Sequence, residues 1–475
     1  MKFADLKAII DGDQPDKAIQ ALTSQKKEVD IDALKKQWSV SDHAVTDKSK
    51  RLDREVVYED PIDGGGTTLK KRQEPVNRIS VPFQKAVVGK AVSFLFGNPV
   101  KIVSPAKEEQ ELSVLESVNK ILDDNKTDSQ NRVVAKQLFR STQVVEFWYP
   151  IDTGEKHEEY GFSTPYKLRM SIFSPWSGNT LYPLFDDFGD MIAFSREYIT
   201  KDEEGKDVTN FETYTAESYY LWKQSGDTWE QVEKAVNPIK KIPVVYAEQE
   251  QAEWADVQVA IERLETLLSN HADTNDYNGS PTVVAEGQIL SIGKKGEQGK
   301  VLEVEKGGKV EYLSWDHAPE SIRMEIDNLF KIILTYTQTP DISFESVKGI
   351  GAISGIALKL LFMDAHLKVM DKREIFDPHL KRRLNIIKAF VGMMNTSASA
   401  TAKKLKIDAE ITPYMISDEL EQLRVLTEAN GGKPVLSQET TVALSGLVDD
   451  PKAEYARIQA EFEKANTIGI TEPTV

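Results

Sequence analysis

The chain has 475 residues, of which 40% are hydrophobic and 28% are charged, and it contains no cysteine. This composition is typical of a folded protein with several domains or lobes, and it excludes disulfides and thiol chemistry. Aspartate and glutamate outnumber lysine and arginine by 76 to 59, giving a formal net charge of −17. This acidic balance argues against a protein that grips DNA by its phosphates.

The first 251 residues predict an α+β lobe. Residues 1 to about 75 are mixed and charged, with a short helix predicted at 31–38 and a glycine loop at 64–66. Apolar residues at helical spacing then predict helices at 82–96, 108–123 and 129–141. From residue 142 the period changes to two, which predicts strands at 144–149, 167–172, 192–199, 211–215, 218–222 and 242–246.

Two amphipathic helices with a β insert between them follow this lobe. They are predicted at 252–275 and 318–339, and each carries an apolar stripe with a period of 3.6 residues. The stripes consist of Val257, Ile261, Leu264 and Leu268 on the first helix, and Ile322, Ile326, Leu329 and Ile333 on the second. In the insert, two alternating runs flank Gly307–Gly308, which predicts a small hairpin. Because such a unit has too little core to stand alone, we expect the stripes to be buried between subunits.

A loop rich in small residues, 340–355, begins at Pro340, where the second helix must stop. A long helix is predicted next, at 356–395, with a kink at Pro378. Its apolar face is predicted to be Ile356, Leu360, Met363, Leu367 and Met370 before the kink, and Leu380, Leu384, Ile387 and Val391 after it. The tail, 396–475, is predicted to be helical and acidic, with its clearest break at Gly431–Gly432.

Several short patterns resemble catalytic or cofactor motifs without the context that those motifs need. The glycines at 349, 351 and 355 follow a helix rather than a strand, so they predict a mobile loop instead of a dinucleotide site. Asp187-Phe188-Gly189 has no accompanying kinase motifs and is predicted to be a turn. The six histidines are scattered, without a His-Glu-x-x-His pair. We therefore expect no enzyme activity, no metal and no cofactor.

One basic cluster stands out on the long helix. It consists of Lys381, Arg382 and Arg383, with Lys368, Lys372 and Arg373 upstream. A solvated helix face is the default interpretation, and contact with DNA or with an acidic neighbouring subunit is the functional alternative.

Four further stretches have a recognisable order and spacing. They are Asn77-Arg78-Ile79 with the run Phe94-Leu95-Phe96-Gly97-Asn98-Pro99-Val100; Asn237-Pro238 with Lys241-Ile242-Pro243; Ser354-Gly355-Ile356; and Gly431-Gly432 with Val448-Asp449-Asp450-Pro451. Together with the helix, insert, helix, loop and long helix, they resemble the portal proteins of tailed bacteriophages, particularly those of siphophages of Gram-positive bacteria. Residues 1–75 match no part of that pattern, so the resemblance implies no role for them.

The resemblance implies a portal fold in which each predicted element has a place. The wing is 1–251 with the long helix 356–395, the stem is 252–275 and 318–339, the clip is 276–317, the tunnel loop is 340–355 and the crown is 396–475. The residues of the tunnel loop that face DNA would be Glu345, Ser346, Lys348, Gly349 and Gly351. From the residues alone, an ordinary connector between two helices is an equal alternative for this loop.

The resemblance also implies a function and a set of partners. Twelve copies would form a ring at one capsid vertex of the virion, assembled in the host cytoplasm, through which double-stranded DNA is packaged and ejected. The partners would be the terminase large subunit, the major capsid and scaffolding proteins, and a head-completion or adaptor protein. No membrane partner is expected, because no apolar run approaches the roughly 20 residues of a membrane span. The alternative is a structural or scaffolding virion protein that forms no channel.

Overall fold

The computed structural model describes residues 2–12, 14–61, 66–226, 228–278, 282–286, 289–292, 302–305, 308–313, 319–342, 360–414, 419–431, 434–448 and 450–468. The chain divides into a larger unit, residues 1–340 with 364–413, and a smaller unit, residues 341–363 with 414–475. Helices and antiparallel strands occur together in the larger unit, and the predicted α+β class is confirmed.

The N-terminal region is more ordered than its sequence pattern predicts. It forms three helices, α1 (Phe3–Ile10), α2 (Pro15–Leu22) and α3 (Ile31–Trp38), followed by a hairpin of β1 (Arg54–Pro61) and β2 (Thr67–Glu74). The first two helices are short but amphipathic, and they bury Leu6, Ile19 and Leu22 against a β-sheet. The hairpin was not predicted because half of the residues in its strands are charged. Along β2 the side chains are exposed up to the last residue.

Three helices form the next layer, close to the predicted bounds. They are α4 (Phe83–Phe96), α5 (Glu109–Asp124) and α6 (Thr127–Ser141), and the short strand β3 (Lys101–Val103) lies between α4 and α5. A capping box between Glu108 and Glu111 begins α5. The apolar faces of α5 and α6 are buried as their spacing predicts.

Two antiparallel sheets complete the lobe. One has the order β11 (Val244–Glu248), β4 (Gln143–His157), β5 (Thr164–Phe173). The other is a five-stranded meander of β6 (Thr180–Phe185), β7 (Met191–Lys201), β8 (Asp207–Thr215), β9 (Ser218–Ser225) and β10 (Thr228–Val236). The sequence missed β6 and β10, which are the edge strands of the meander. An edge position tolerates Pro183 in β6 and the charged residues of β10, both of which weaken a strand signal.

The two amphipathic helices are α7 (Gln258–Asn278), preceded by a 3₁₀ turn at Ala255–Val257, and α8 (Pro319–Tyr336). They contact each other as predicted, and Arg263 Nη2 lies 2.7 Å from Glu325 Oε1 across the pair.

The insert between these helices contains four strands, β12 (Thr282–Glu286), β13 (Ile289–Ile292), β14 (Leu302–Val304) and β15 (Lys309–Leu313). The predicted hairpin about Gly307–Gly308 is wrong. Strand β14 pairs with β13, and β15 pairs with β12, so the two strands that flank the glycines have different partners. Alternation located β14 and β15 but missed β12 and β13, and it carries no information about which strand pairs with which.

The long helix is α9 (Met363–Met394), and it contains Pro378. Beyond Pro378 the predicted face is confirmed, since Leu380, Leu384, Ile387 and Val391 are buried. Before Pro378 the predicted face is wrong: Leu360, Met363, Leu367 and Met370 are 66%, 51%, 47% and 65% exposed. The buried side chains there are Ala365, Lys368, Val369 and Phe376. A lysine thus occupies the buried face, which an apolar pattern cannot reveal. Ile356 and the first residues of the predicted helix lie outside the described residues.

After α9 the larger unit ends with α10 (Ser399–Lys404) and β16 (Asp408–Glu410), which pairs with β3. The smaller unit contains α11 (Glu419–Asn430), α12 (Gln438–Ser445) and α13 (Pro451–Ile468). The described part of the tail beyond residue 418 is helical, as predicted, and α11 stops immediately before Gly431. The strand β16 was not predicted.

Candidate functional site

The two stripes predicted for a subunit interface divide into two groups. Val257, Ile261, Leu264 and Ile333 are at most 1% exposed within the single chain. They belong to the core of the larger unit and have no surface left for a second subunit, so the interface prediction is wrong for these four. Leu268, Ile322, Ile326 and Leu329 are only half-buried, and for them the interface stays a prediction.

The predicted tunnel-loop residues Glu345, Ser346, Lys348, Gly349 and Gly351 lie outside the described residues, as does Gly355. The structure does describe the approach to this loop at the end of α8. Gln338 has a left-handed φ of 50°, and the amide N–H of Thr339 donates to the carbonyl of Leu334 at 2.8 Å. These contacts terminate the helix before Pro340.

An ion-paired cluster, which we call the loop anchor, fixes this approach. Glu253, Lys368 and Lys372 form it: the two carboxylate oxygens of Glu253 lie 2.6 Å from Lys368 Nζ and 2.7 Å from Lys372 Nζ. Lys368 Nζ also donates to the carbonyl of Thr337 at 2.9 Å. Burial alone would raise the pKa of Glu253, but the two ammonium groups hold it below its ordinary value, so the carboxylate stays charged.

A second set of contacts fastens α7 to the extended segment that precedes α4. The amide N–H groups of residues 77, 79 and 81 donate to Asp273 Oδ1 at 2.7 Å, Ser269 Oγ at 2.8 Å and Glu265 Oε1 at 2.9 Å. Four helical residues advance about 6 Å, and two extended residues advance about 6.6 Å. The polar side chains of α7 therefore match alternate amides of the segment and satisfy them as a neighbouring strand would.

The same carboxylate, Glu265, holds a buried histidine. His43 Nδ1 lies 2.6 Å from Glu265 Oε1, and His43 Nε2 lies 2.8 Å from the carbonyl oxygen of Gln37. Both partners are acceptors, so both ring nitrogens must carry a proton and the ring is an imidazolium. Burial lowers the pKa of His43, but the hydrogen bond and charge of Glu265 raise it further than burial lowers it, and the net shift is upward.

The basic cluster on α9 is neither a solvated face nor a DNA contact for most of its members. Arg383 is 3% exposed, and its Nε and Nη2 donate to the two oxygens of Glu146 at 2.7 and 2.6 Å. Arg382 donates to the carbonyl of Val244, and Lys368 and Lys372 belong to the loop anchor. For Arg383, Lys368 and Lys372 both interpretations were wrong, because buried carboxylates elsewhere in the chain are their partners.

Glu146 is the centre of that buried network. It also accepts a hydrogen bond from the indole N–H of Trp148, and His379 Nε2 lies 3.2 Å from its second oxygen. Although burial would raise the pKa of Glu146, the charge of Arg383 holds it far below its ordinary value.

The buried roles of Glu146, Glu253 and Glu265 were not predicted from the sequence. Two of these residues nevertheless lie in apolar sequence patterns where a carboxylate is unexpected. Glu146 interrupts the apolar strand Val144-Val145-Glu146-Phe147-Trp148, and Glu265 lies next to Leu264 within an apolar stripe. A carboxylate in such a place must be paired or neutralised, so it predicts a buried cation elsewhere in the chain.

The remaining motifs have plain structural roles or no assigned role. Asp187-Phe188-Gly189 is a turn, as predicted: Asp186 Oδ1 accepts the amides of Phe188 and Asp190, and Gly189 has a φ of 85°. Across the described residues, no group of three or more histidine, aspartate or glutamate side chains could hold a metal ion. No described helix is both long enough and apolar enough to cross a membrane.

Comparisons with known proteins give a family match and several similar chains. A family model described as "Phage portal protein, SPP1 Gp6-like" matches residues 40–467. The chain is 23% identical over 435 residues to the portal protein of Bacillus phage SPP1, covering 85% of this chain and 79% of that protein. It is also similar to a chain in the neck of an empty gene transfer agent particle computed with C6 symmetry, at 8% identity and a TM-score of 0.44, covering 78% of this chain and 91% of that chain. A chain in the neck of a native particle computed with C12 symmetry is similar at 9% identity and a TM-score of 0.43, covering 90% of this chain and 98% of that chain. Because the family model spans nearly the whole sequence, the chain belongs to the SPP1 Gp6-like family of phage portal proteins.

Proposed function

We propose that this portal protein assembles into a dodecameric ring at one capsid vertex, and that double-stranded DNA enters and leaves the capsid through the ring. The family match over residues 40–467 carries this proposal, since that range includes both amphipathic helices, the insert, the loop and the long helix. The family consists of structural virion proteins rather than enzymes.

In this proposal α7 and α8 are the stem, and the β insert between them is the clip. The α+β lobe with α9 is the wing, residues 340–355 are the tunnel loop, and the tail after 396 is the crown. Glu345, Ser346, Lys348, Gly349 and Gly351 then face the DNA. The clip docks the terminase large subunit first and a head-completion or adaptor protein afterwards, while the wing meets the major capsid and scaffolding proteins. ATP hydrolysis belongs to the terminase, since this chain has no P-loop sequence.

The apolar surface of α8 supports the ring. Besides the half-buried stripe residues Ile322, Ile326 and Leu329, this helix leaves Met324, Phe330, Ile332 and Tyr336 at 61%, 39%, 40% and 72% exposed. Several large apolar side chains on one exposed helix are typical of a surface that a partner covers. A second copy of the chain is the proposed partner, through a self-assembling interface.

The experiment compares Ile326→Asp with Leu329→Asp and with the control Asn328→Asp, which adds the same charge at an exposed position of the same helix. Placing an unpaired carboxylate in an apolar interface costs roughly 3 kcal/mol per subunit, so the first two variants should give monomers or broken rings. Wild type and control should give closed rings by light scattering and electron microscopy. Leu264→Asp is unsuitable, because Leu264 is buried within the chain and its substitution would unfold the subunit.

Two outcomes would contradict the proposal. Wild-type particles without an axial hole of duplex width would favour the structural or scaffolding alternative. If Ile326→Asp and Leu329→Asp both still form intact rings, these two residues do not lie in the interface.

A further inference from the structure

A groove of about 550 Å³ lies between α9, α10 and the turn before β11, in the larger unit. Four lysines from three parts of the chain reach it: Lys240 and Lys241 from the turn, Lys388 from α9 and Lys403 from α10. Ala389 and Met393 of α9 provide an apolar floor. We call this surface the basic groove. None of its lining residues is acidic, in a chain whose formal net charge is −17.

The positive charge of the basic groove is not neutralised within the described residues. Lys240, Lys241 and Lys403 form no ion pair within 4.0 Å there, and Lys388 Nζ donates to a carbonyl oxygen, that of Leu405, at 2.8 Å. Asp408, the carboxylate that acts on Lys388, is already paired with Lys381. Burial, and then the neighbouring charges of Lys241 and Lys381, lower the pKa of Lys388, as expected where cations crowd together.

The turn that presents two of these lysines is held in a costly conformation. Lys240 has a φ of 52°, a left-handed value that residues with a Cβ rarely adopt. The buried side chain of Asn237 fixes the turn, because its Nδ2 donates to the carbonyls of Thr215 at 2.8 Å and Lys241 at 2.7 Å. Local strain of this kind persists only where the surroundings impose it, and it clusters at functional sites. The buried Asn237 side chain therefore fixes the turn that presents Lys240 and Lys241.

The opposite wall of the groove is close-packed. A Cβ added at Gly392 of α9 would lie 3.2 Å from Ser399 Oγ and 3.3 Å from Ser399 Cα, so the two helices approach closely at this point. The groove is therefore a preformed concavity with a basic rim and an apolar floor, rather than a gap between mobile side chains.

We propose that the basic groove binds an acidic segment of a partner protein that also carries apolar side chains. Carboxylates of the segment would meet Lys240, Lys241, Lys388 and Lys403, and its apolar side chains would cover Ala389 and Met393. Charge complementarity favours an acidic occupant. The apolar floor favours protein over duplex DNA, because a duplex presents phosphates on a convex surface and has nothing apolar to place in a concavity of this volume. This inference does not depend on the ring or on the channel.

The test is fluorescence anisotropy with three labelled probes on the purified full-length protein. The probes are a peptide of glutamates interspersed with leucines, a peptide of the same length with serine in place of leucine, and a short DNA duplex. The groove variant is Lys240→Glu/Lys241→Glu/Lys403→Glu. Its matched control is Lys17→Glu/Lys156→Glu/Lys223→Glu, which changes the net charge equally at exposed lysines on other elements. All the changed residues are exposed, and thermal unfolding verifies that each variant is folded.

We expect the glutamate–leucine peptide to bind the wild type and the control alike, and to bind the groove variant roughly tenfold more weakly or worse, with an affinity that falls as salt rises. The serine peptide should bind more weakly than the leucine peptide. Three results would each overturn the proposal. Neither peptide binds the wild type, the groove and control variants lose the same amount of peptide affinity, or the two peptides bind the wild type with equal affinity. If the DNA duplex binds the wild type more strongly than the groove variant and the peptides do not bind, the groove is a nucleic-acid contact instead.

Discussion

Three buried glutamates join parts of the larger unit that are far apart in sequence. Glu146 in β4 pairs with Arg383 in α9, and Glu253 pairs with Lys368 in the same helix. Glu265 in α7 joins the N-terminal His43 to the amide of Val81. Each carboxylate is at most 5% exposed, so each partner is required to offset its desolvation. The positions of α7 and α9 therefore depend on a few specific ion pairs as well as on apolar packing.

At the residue scale, Glu146→Gln tests the most buried of these pairs. The substitution leaves the guanidinium of Arg383 without a counter-charge at 3% exposure, which should lower the free energy of unfolding by about 3–5 kcal/mol. Urea denaturation measures the loss. The control Glu204→Gln breaks the exposed pair with Lys206 and should change stability by less than about 1 kcal/mol.

A double variant separates charge from packing at this site. Glu146→Leu with Arg383→Met replaces both charges by apolar side chains, so it should recover the part of the lost stability that comes from the unpaired guanidinium. The indole N–H of Trp148 loses its acceptor in this variant, so recovery should be incomplete. If the double variant is less stable than Glu146→Gln alone, the pair stabilises the fold through its geometry and not merely through mutual neutralisation.

The imidazolium of His43 predicts a pH dependence with a definite sign. The pKa of His43 is raised in the folded state. The contribution of this residue to stability is therefore complete at pH values below its unfolded-state pKa of about 6.5, and it is lost as the pH rises through the higher folded-state pKa. The melting temperature of the wild type should therefore exceed that of His43→Gln by more at pH 6 than at pH 9. A difference that is the same at both pH values would show that His43 is neutral in the folded protein.

At the element scale, local patterns located most helices but only half of the sixteen described strands, and the errors in pairing and burial arose where non-local contacts decide. The bounds of α4, α5 and α6 follow from helical spacing, which is a property of each segment alone. The partners of β14 and β15, and the buried face of the first half of α9, depend on distant residues. Lys368 illustrates the difference: only its pairing with Glu253 makes a lysine suitable for a buried face. The buried ion pairs of the candidate site could not be predicted for the same reason.

The pairing in the β insert determines how its role can be tested. Deleting 300–314 would remove β14 and β15 and leave the partners β13 and β12 with unpaired edges, which invites aggregation. Replacing all of 282–313 by a short glycine–serine linker removes both pairs together. The remaining chain should fold with an unchanged melting temperature and assemble into rings, while binding to the terminase large subunit should be lost in a pull-down. Terminase binding that survives this deletion would contradict the assignment of the insert as the clip.

At the scale of the whole molecule, a DNA channel needs weak contacts with the duplex and a wall that does not retain it. Each chain adds a formal charge of −17, so a ring of copies carries a large acidic surplus, which repels phosphates. Three cations of α9 do not change this, because Arg383, Lys368 and Lys372 are held by internal carboxylates. In the proposed function, the contact with DNA therefore falls to the tunnel loop, whose approach is tied at two points: Lys368 binds the carbonyl of Thr337, and Lys90 binds that of Pro340 at 2.8 Å.

The tunnel loop itself is tested by combining Glu345→Lys with Gly351→Pro. The first change replaces a repulsive charge by an attractive one in every subunit, and the second restricts the backbone at a glycine. DNA that is held more strongly by a stiffer loop should be packaged more slowly, while ring assembly stays normal because neither position belongs to the proposed interface. Glu410→Lys is the matched control, since it changes the net charge equally at an exposed residue of β16. Single-particle packaging rates and packaged DNA lengths measure the effect, and rates equal to those of the control would show that the loop does not contact the DNA.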